Sequence, residues 1–217
     1  MHSKYNRTFH LPWSKGASND DKIASDISSL INIPIVISEK IDGGNCSLEH
    51  DYIYARTHSK PADHPSFDII KAHHANIKYR IPKNIQLFGE NVYALHSIAY
   101  TKLPGYFLLF NVRDTEKGIW ESWDMVEQWA EEINVPTVPI LFKGSVSSID
   151  ELKNITEQLS SEPSACGGLR EGVVVRIADS FKDDDFSKYV SKWVREGHVD
   201  PNTGHWALKD VVPNKLI

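Results

Sequence analysis

The chain has 217 residues, of which 41% are hydrophobic and 24% charged, with a formal net charge of -5. That length suits one large domain with a sizeable core, and the composition is that of an ordinary soluble globular protein. No apolar stretch approaches the length of a bilayer-crossing helix, and the acidic balance argues against a general nucleic-acid coating protein while allowing a local basic groove.

Residues 1–33 read as an N-terminal arm with a helix. The first part is polar and irregular, carrying Lys4, Arg7, His10, Trp13 and Lys15, and it lacks the apolar core of a signal peptide. Trp13 is expected to tuck into the core of an otherwise solvated leader. Asn19 or Asp20 would cap a short helix through Lys22–Leu30. Cys46 and Cys166 lie far apart and match no metal or redox spacing, so a reducing, cytoplasmic setting is the simplest inference.

An apolar run, Ile33-Pro-Ile-Val-Ile37, then reads as a buried strand and leads into Ser38-Glu-Lys-Ile-Asp-Gly-Gly-Asn45. Three charges at the end of a core strand are costly unless paired or used. Two glycines allow a sharp turn or a close approach. Lys40 is therefore a candidate nucleophile, although on these residues alone a hairpin with an Asp-Gly turn and a surface lysine fits slightly better. Residues 45–50 and 52–57 are expected to pair as a hairpin.

A helix over residues 67–79 follows a proline-containing loop. Its adjacent His73 and His74 point in different directions and do not suggest a metal site. Strands are expected over residues 84–93 and 106–112. A helix capped by Ser122 shows the core stripe Trp123, Val126, Trp129 and Ile133. Pro139–Phe142 is a short strand, and Ser148-x-x-Glu151 is a capping box for a further helix. Residues 171–177 and 189–195 complete the strands. Strands with hairpin links and isolated helices predict an α+β domain of antiparallel sheets flanked by helices.

Polar residues at strand ends recur in a fixed order: Lys40-Ile-Asp-Gly43, Arg56-Thr57, Phe88-Gly-Glu90, Phe107-x-x-Phe110, Glu171-Gly172, then Lys188 with Lys192. That order resembles the covalent nucleotidyltransferase superfamily of ATP-dependent ligases and messenger-RNA capping enzymes. Within it, Glu39-Lys-Ile-Asp-Gly-Gly-Asn45 is most similar to the RNA-ligase branch, and the resemblance covers roughly residues 36–195.

The resemblance implies an adenylation domain with a nucleotide pocket between its sheets, using ATP and Mg2+ or Mn2+. It implies sealing of RNA 3′-hydroxyl and 5′-phosphate ends through a lysyl-AMP intermediate. Lys40 would be the nucleophile, its pKa lowered by burial and by neighbouring cations, including a metal and Lys188 or Lys192. Glu171 would hold the metal, with Asp42 and Glu90 as further candidates, and Asp42 would contact metal or hydroxyl in the sealing step. Glu39, Ile41, Asn45, Arg56, Glu90, Phe110, Lys188 and Lys192 would line the nucleotide site. Glu39 would read the adenine amino group, Phe110 would stack on the base, and Glu90 would bind a ribose hydroxyl. Arg56 would contact the ribose or the 5′-phosphate end, Asn45 the end to be sealed, and Lys192 and Lys188 the α-phosphate.

Two departures accompany the resemblance. Val190 stands where the family's last motif usually has its second lysine, which leaves Lys188, Arg195 or neither as the second cation. Residues 196–217 form a short tail, too short for an oligonucleotide-binding barrel, so the sequence is expected to be a minimal catalytic domain or part of a longer protein; if minimal, Lys4, Arg7, His10 and Lys15 of the arm are expected to orient pyrophosphate or bind the 5′-phosphate. The tail from Gly197 to Trp206 would close over the site or simply pack. A DNA ligase, a capping-type guanylyltransferase and a non-catalytic nucleic-acid-binding relative are the alternatives. A kinase or phosphatase that prepares the ends would be the partner enzyme, and no membrane is involved.

Overall fold

The structure, a computed structural model, describes residues 3–56, 60–197 and 211–217. Thr57, the adjoining residues of its loop, and the expected closing segment through Trp206 lie outside the described residues. The first elements are β1 (Phe9–His10), β2 (Ile35–Lys40), β3 (Gly44–Leu48), β4 (Ile53–Ala55) and α1 (Asp68–Ile77). Next come β5 (Ile85–Asn91), β6 (Phe107–Asp114), β7 (Ile119–Trp120), α2 (Trp123–Glu132), β8 (Ile140–Gly144) and α3 (Ile149–Ser161). The last are β9 (Gly172–Ile177), β10 (Phe181–Lys182), α4 (Phe186–Tyr189) and β11 (Val190–Val194).

They form two sheets, as the α+β expectation requires. A five-stranded sheet has the order β1-β11-β9-β2-β8, and a six-stranded sheet the order β10-β7-β6-β5-β3-β4. All pairings are antiparallel except β1 with β11. Alternation decides which side chains face the second sheet. Along β9, Val173 and Val175 join a core shared with Leu152 of α3, while Val174 and Arg176 look the other way, onto the cavity. Ile35 and Ile37 of β2 are fully buried in the same core, and each such side chain contributes roughly 1.5–3 kcal/mol. A second core lies on the far side of the six-stranded sheet, where Leu48, Leu87 and Val112 meet Ile70 and Ile77 of α1 and Val126 of α2.

The caps follow the sequence. Ser122 accepts from the Met125 amide and Ser148 from the Glu151 amide. The Glu151 carboxylate reaches back to the Ser147 amide and hydroxyl, one residue earlier than the capping box predicts. The expected β3–β4 hairpin is present, with Leu48 opposite Ile53.

Three expectations are corrected. Residues 38–45 are not a hairpin: β2 belongs to one sheet and β3 to the other, so the Ile41–Gly43 turn crosses between sheets. No α-helix spans Lys22–Leu30, where a 3-10 turn covers only Ser28–Leu30. There the backbone is otherwise engaged: the Ala24 amide donates to His10 O, the His10 amide donates to Lys22 O, and the Asp26 carboxylate takes the Ser28 amide. Tyr189 closes the short helix α4 instead of opening the last strand. Trp13 is half-buried, with its ring nitrogen donating to the Thr156 hydroxyl, but the arm is more than a solvated leader because it pairs with β11. Among the described residues no helix is long and apolar enough to cross a membrane.

Candidate active site

The two sheets face each other across a cavity of about 640 Å3. Register places its contents. On the first sheet Ser38 of β2, Val174 of β9 and Lys192 of β11 lie side by side, and Lys40 is two residues further along the same face of β2. On the second sheet Asn45 of β3 is opposite Glu90 of β5, and the Arg56 amide donates to Asn45 O at 3.0 Å. Ladder irregularities fall at Ile37/Ser38 and at Phe88/Gly89, just upstream of Lys40 and Glu90, and such bulges re-aim the side chains that follow.

Lys40 opposes Gly172 in the ladder, and Glu171 precedes that glycine. The Lys40 Nζ lies 2.7 Å from each oxygen of the Glu171 carboxylate. A side chain at Gly172 would meet the Trp193 carbonyl oxygen at 2.0 Å, so only glycine permits β9 and β11 to come this close. Gly43 is equally constrained: a Cβ there would lie 2.6 Å from Asn91 O and 2.9 Å from the Glu90 Cγ.

The charges converge. Burial works to lower the Lys40 pKa, but the nearby Glu171, Glu90 and Asp42 outweigh it, and the lysine is held above its ordinary range. The lowered value expected beside a bound metal is therefore not a property of these protein groups by themselves. Burial pushes the Glu90 carboxyl up to about 8, with the Glu171 and Asp42 charges adding to the rise and Lys40 opposing it. Lys192 is lowered, first by burial and then by the Lys40 charge. Glu171 and Glu90 thus bring carboxylate oxygens close to Lys40, and such hard donors suit Mg2+ or Mn2+. Among the described residues no cluster of three or more metal-ligating side chains occurs. That still fits magnesium, which takes one or two carboxylates plus substrate phosphates and water.

Glu39 is 1% exposed. Its Oε2 accepts from the Ala165 amide at 2.9 Å and lies 3.4 Å from the Arg170 Nε, while its Oε1 is buried with no hydrogen-bond partner among the described residues. The Asn45 Oδ1 is likewise buried and unpartnered. Glu39, Ile41, Asn45, Arg56, Glu90, Phe110 and Lys192 all line the cavity with Lys40, whereas Glu171 borders it through its contact with Lys40.

Two expected residues are not brought to the wall. Asp42 points its Oδ2 at the Ser97 and Ile98 amides, 2.7 and 2.8 Å away, and its own amide donates to the Tyr100 hydroxyl. That is an anchoring arrangement in place of a metal or hydroxyl contact. Lys188 is exposed on α4, its ammonium 5.0 Å from the centre of the Tyr189 ring, and Arg195 does not line the cavity either. Among the arm's described cations Arg7 alone lines it: Lys4 and Lys15 are exposed elsewhere, and His10 is buried against Ser14.

Sequence reasoning missed Tyr5, Asp21, Asn111 and Arg176, and it assigned Trp123 to packing alone; all five line the cavity. Arg176 was legible as a charge inside an otherwise apolar strand. It is 3% exposed and donates to the Asn111 side chain at 2.6 Å and to the Glu121 carbonyl. Tyr5 had no comparable signal.

Two facing sheets that enclose a lysine-headed cavity have the architecture of a nucleotidyltransferase-type domain. A family model described as RNA ligase matches residues 33–194, and the chain belongs to that family. No curated protein shows a significant match. Among solved structures the chain is similar to Naegleria gruberi RNA ligase. One variant of that protein, solved with ATP and Mn, gives a TM-score of 0.59 at 17% identity, covering 89% of this chain and 56% of the other. A second variant with ATP and Mn gives 0.58 at 17% identity, covering 89% and 62%. An apo variant gives 0.58 at 17% identity, covering 89% and 55%. The likeness is one of fold, and the chain spans a little over half the length of those relatives.

Proposed function

We propose that the chain acts as a single adenylation domain of an ATP-dependent RNA ligase, joining RNA 3′-hydroxyl and 5′-phosphate ends through a lysyl-AMP intermediate. The observation that carries this reading is the Lys40–Glu171 pair at the head of a cavity to which both sheets contribute. The solved relatives with ATP and Mn support the choice of nucleotide and metal class.

In the first step the Lys40 Nζ forms a bond to the α-phosphorus of ATP, the bond to the β-phosphate oxygen breaks, and pyrophosphate leaves. The lysine must first lose a proton, and the Glu171 carboxylate 2.7 Å away is its nearest acceptor. A divalent ion bound by Glu171, with Glu90 as a second donor, would neutralise phosphate charge. The orphaned Glu39 Oε1 suits the adenine amino group, and Phe110, half-buried on the wall, suits the base face. Lys192 would bind the α-phosphate, Glu90 a ribose hydroxyl, Arg56 the ribose or the 5′-phosphate end, and Asn45 the end to be sealed. In the second step an oxygen of the RNA 5′-phosphate attacks the adenylate, the P–N bond breaks, and Lys40 recovers its proton. In the third the 3′-hydroxyl attacks that activated end, AMP leaves, and a phosphodiester forms.

Intact-mass measurement after incubation with ATP and Mg2+ tests the reading. Wild type should gain one AMP and Lys40→Ala none, and the adduct should be discharged by 5′-phosphorylated RNA. Parallel incubations with GTP and with DNA ends separate the ligase reading from a capping or DNA-joining one. A wild-type protein that binds RNA yet forms no adduct would show a non-catalytic relative.

A further inference from the structure

Lys188 faces away from the cavity, so Lys192 lacks the partner that the last motif implies. The arm brings another cation to the same place. Tyr5, Asn6, Arg7 and Thr8 form a continuous part of the cavity wall. They are fixed downstream by β1, whose Phe9 and His10 pair with Ser191 and Lys192, and by the Leu11 amide on the Lys192 carbonyl at 2.7 Å. Upstream, the Tyr5 ring is wedged against Phe88, Phe110, Trp120 and Phe186, with centroid separations of 5.1, 5.2, 5.3 and 5.2 Å. Arg7 therefore sits between two anchors.

Its guanidinium donates to the Asp20 carbonyl and lies 3.6 Å from the Asp21 carboxylate. Asp21 also lines the cavity and interacts electrostatically with Lys192. Arg7 of the arm and Lys192 of β11 thus share one carboxylate at the cavity edge. The Arg7 side chain is 47% exposed, and its Nη1 and Nε make no hydrogen bond to the described residues.

We propose that Arg7 is the second cation of the phosphate site, binding the nucleotide's phosphates together with Lys192 in the place for which the sequence left Lys188, Arg195 or neither. The proposal rests on the adenylation reading above. A guanidinium offers a planar fork of donors that grips two phosphate oxygens at once, which a lysine at the same point would not do. Asp21 holds that fork near Lys192 until the stronger phosphate charge draws it over.

The test is the rate of adduct formation against ATP concentration for wild type, Arg7→Ala, Arg7→Lys and Lys188→Ala, with thermal melting alongside. Arg7→Ala should raise the half-saturating ATP concentration about tenfold to a hundredfold, the range for hydrogen bonds to a charged group. Arg7→Lys should fall between it and wild type, Lys188→Ala should stay within about twofold, and all should melt near wild type. Wild-type ATP dependence in Arg7→Ala, or an equal defect in Lys188→Ala, overturns the proposal. So does a defect confined to transfer onto RNA, which would assign Arg7 to the 5′-phosphate of the strand. A wild-type protein that never forms an adduct removes the adenylation reading itself, a result separable from all of these.

Discussion

The Asp42 amide donates to the Tyr100 hydroxyl at 2.8 Å, and the Asp42 carboxylate in turn takes the Ser97 and Ile98 amides. The residue two places after the candidate nucleophile is thereby tied to the 97–100 segment. Its carboxylate holds the crossover between the sheets in position, so that Lys40 ends its strand facing the cavity.

Tyr100→Phe deletes only the acceptor oxygen and leaves the ring packed. It should cost about 1 kcal/mol, a fall in Tm of about 2–4 °C, and should slow adduct formation by about two- to tenfold with little change in half-saturating ATP. Asp42→Ala removes two amide partners and should cost more on both counts. Melting curves with adduct kinetics check this; unchanged kinetics in both variants would leave the anchor purely structural.

Glu171→Gln removes the carboxylate that pairs with Lys40 and contributes to its raised pKa. The lysine's pKa should fall, shifting the pH profile of adduct formation to lower pH. The maximal rate should drop by about 100-fold or more, because the proton acceptor and metal donor are lost together. Rate against pH, for wild type and variant at saturating Mg2+, is the measurement.

Glu90 gives a pH dependence of stability. Its folded pKa of about 8 lies above its ordinary value, so its contribution is fully present below that ordinary value and is lost as pH rises through about 8. Wild type should therefore lose Tm between about pH 5 and pH 9 more steeply than Glu90→Gln, by several degrees. Parallel slopes would remove Glu90 as the source.

Glu39 and Arg170 form a buried pair, with side chains 0% and 3% exposed. Glu39→Ala removes the buried one of the guanidinium's two carboxylates, Glu162 remaining 3.6 Å away, and should cost about 1–3 kcal/mol. Glu39→Gln should cost less and should weaken discrimination between ATP and GTP in adduct formation. Chemical denaturation of both variants, with adduct yields on the two nucleotides, tests each half.

The sheet scaffold was legible because alternation and caps are local. Val173 to Val175 mark β9 as a central strand by composition, with Arg176 the one residue that hints at its second face, and Ser122 and Ser148 announce their helices. The ordered polar residues marked the cavity for a similar reason, since a charge at the end of an apolar strand needs a partner. What was hidden depended on distant partners. The Ile41–Gly43 turn looks like a hairpin until Asn45 is seen to pair with Glu90 on the other sheet. Lys22–Leu30 has a capped, apolar-spaced helix pattern, but its backbone bonds go to His10. Tyr5 sits in a polar leader, and only the four rings from distant segments give it a place. Lys188 was misplaced because its spacing from Lys192 hid the intervening turn of helix α4.

The N-terminal flank lines this cavity, and residues 211–217 reach its surroundings through Tyr100. Arg7 reaches it directly, and Asn214 is 4% exposed, its side chain accepting from the Tyr100 amide and donating to Val92 O. The decisive contacts join residues 131 apart for Lys40 and Glu171, and 114 apart for Tyr100 and Asn214. Closing loops of that length carries an entropic cost that local contacts do not offset until late, and it slows folding. The environment of Lys40 therefore forms only with the long-range β2–β9 pairing, which places Gly172 opposite Lys40.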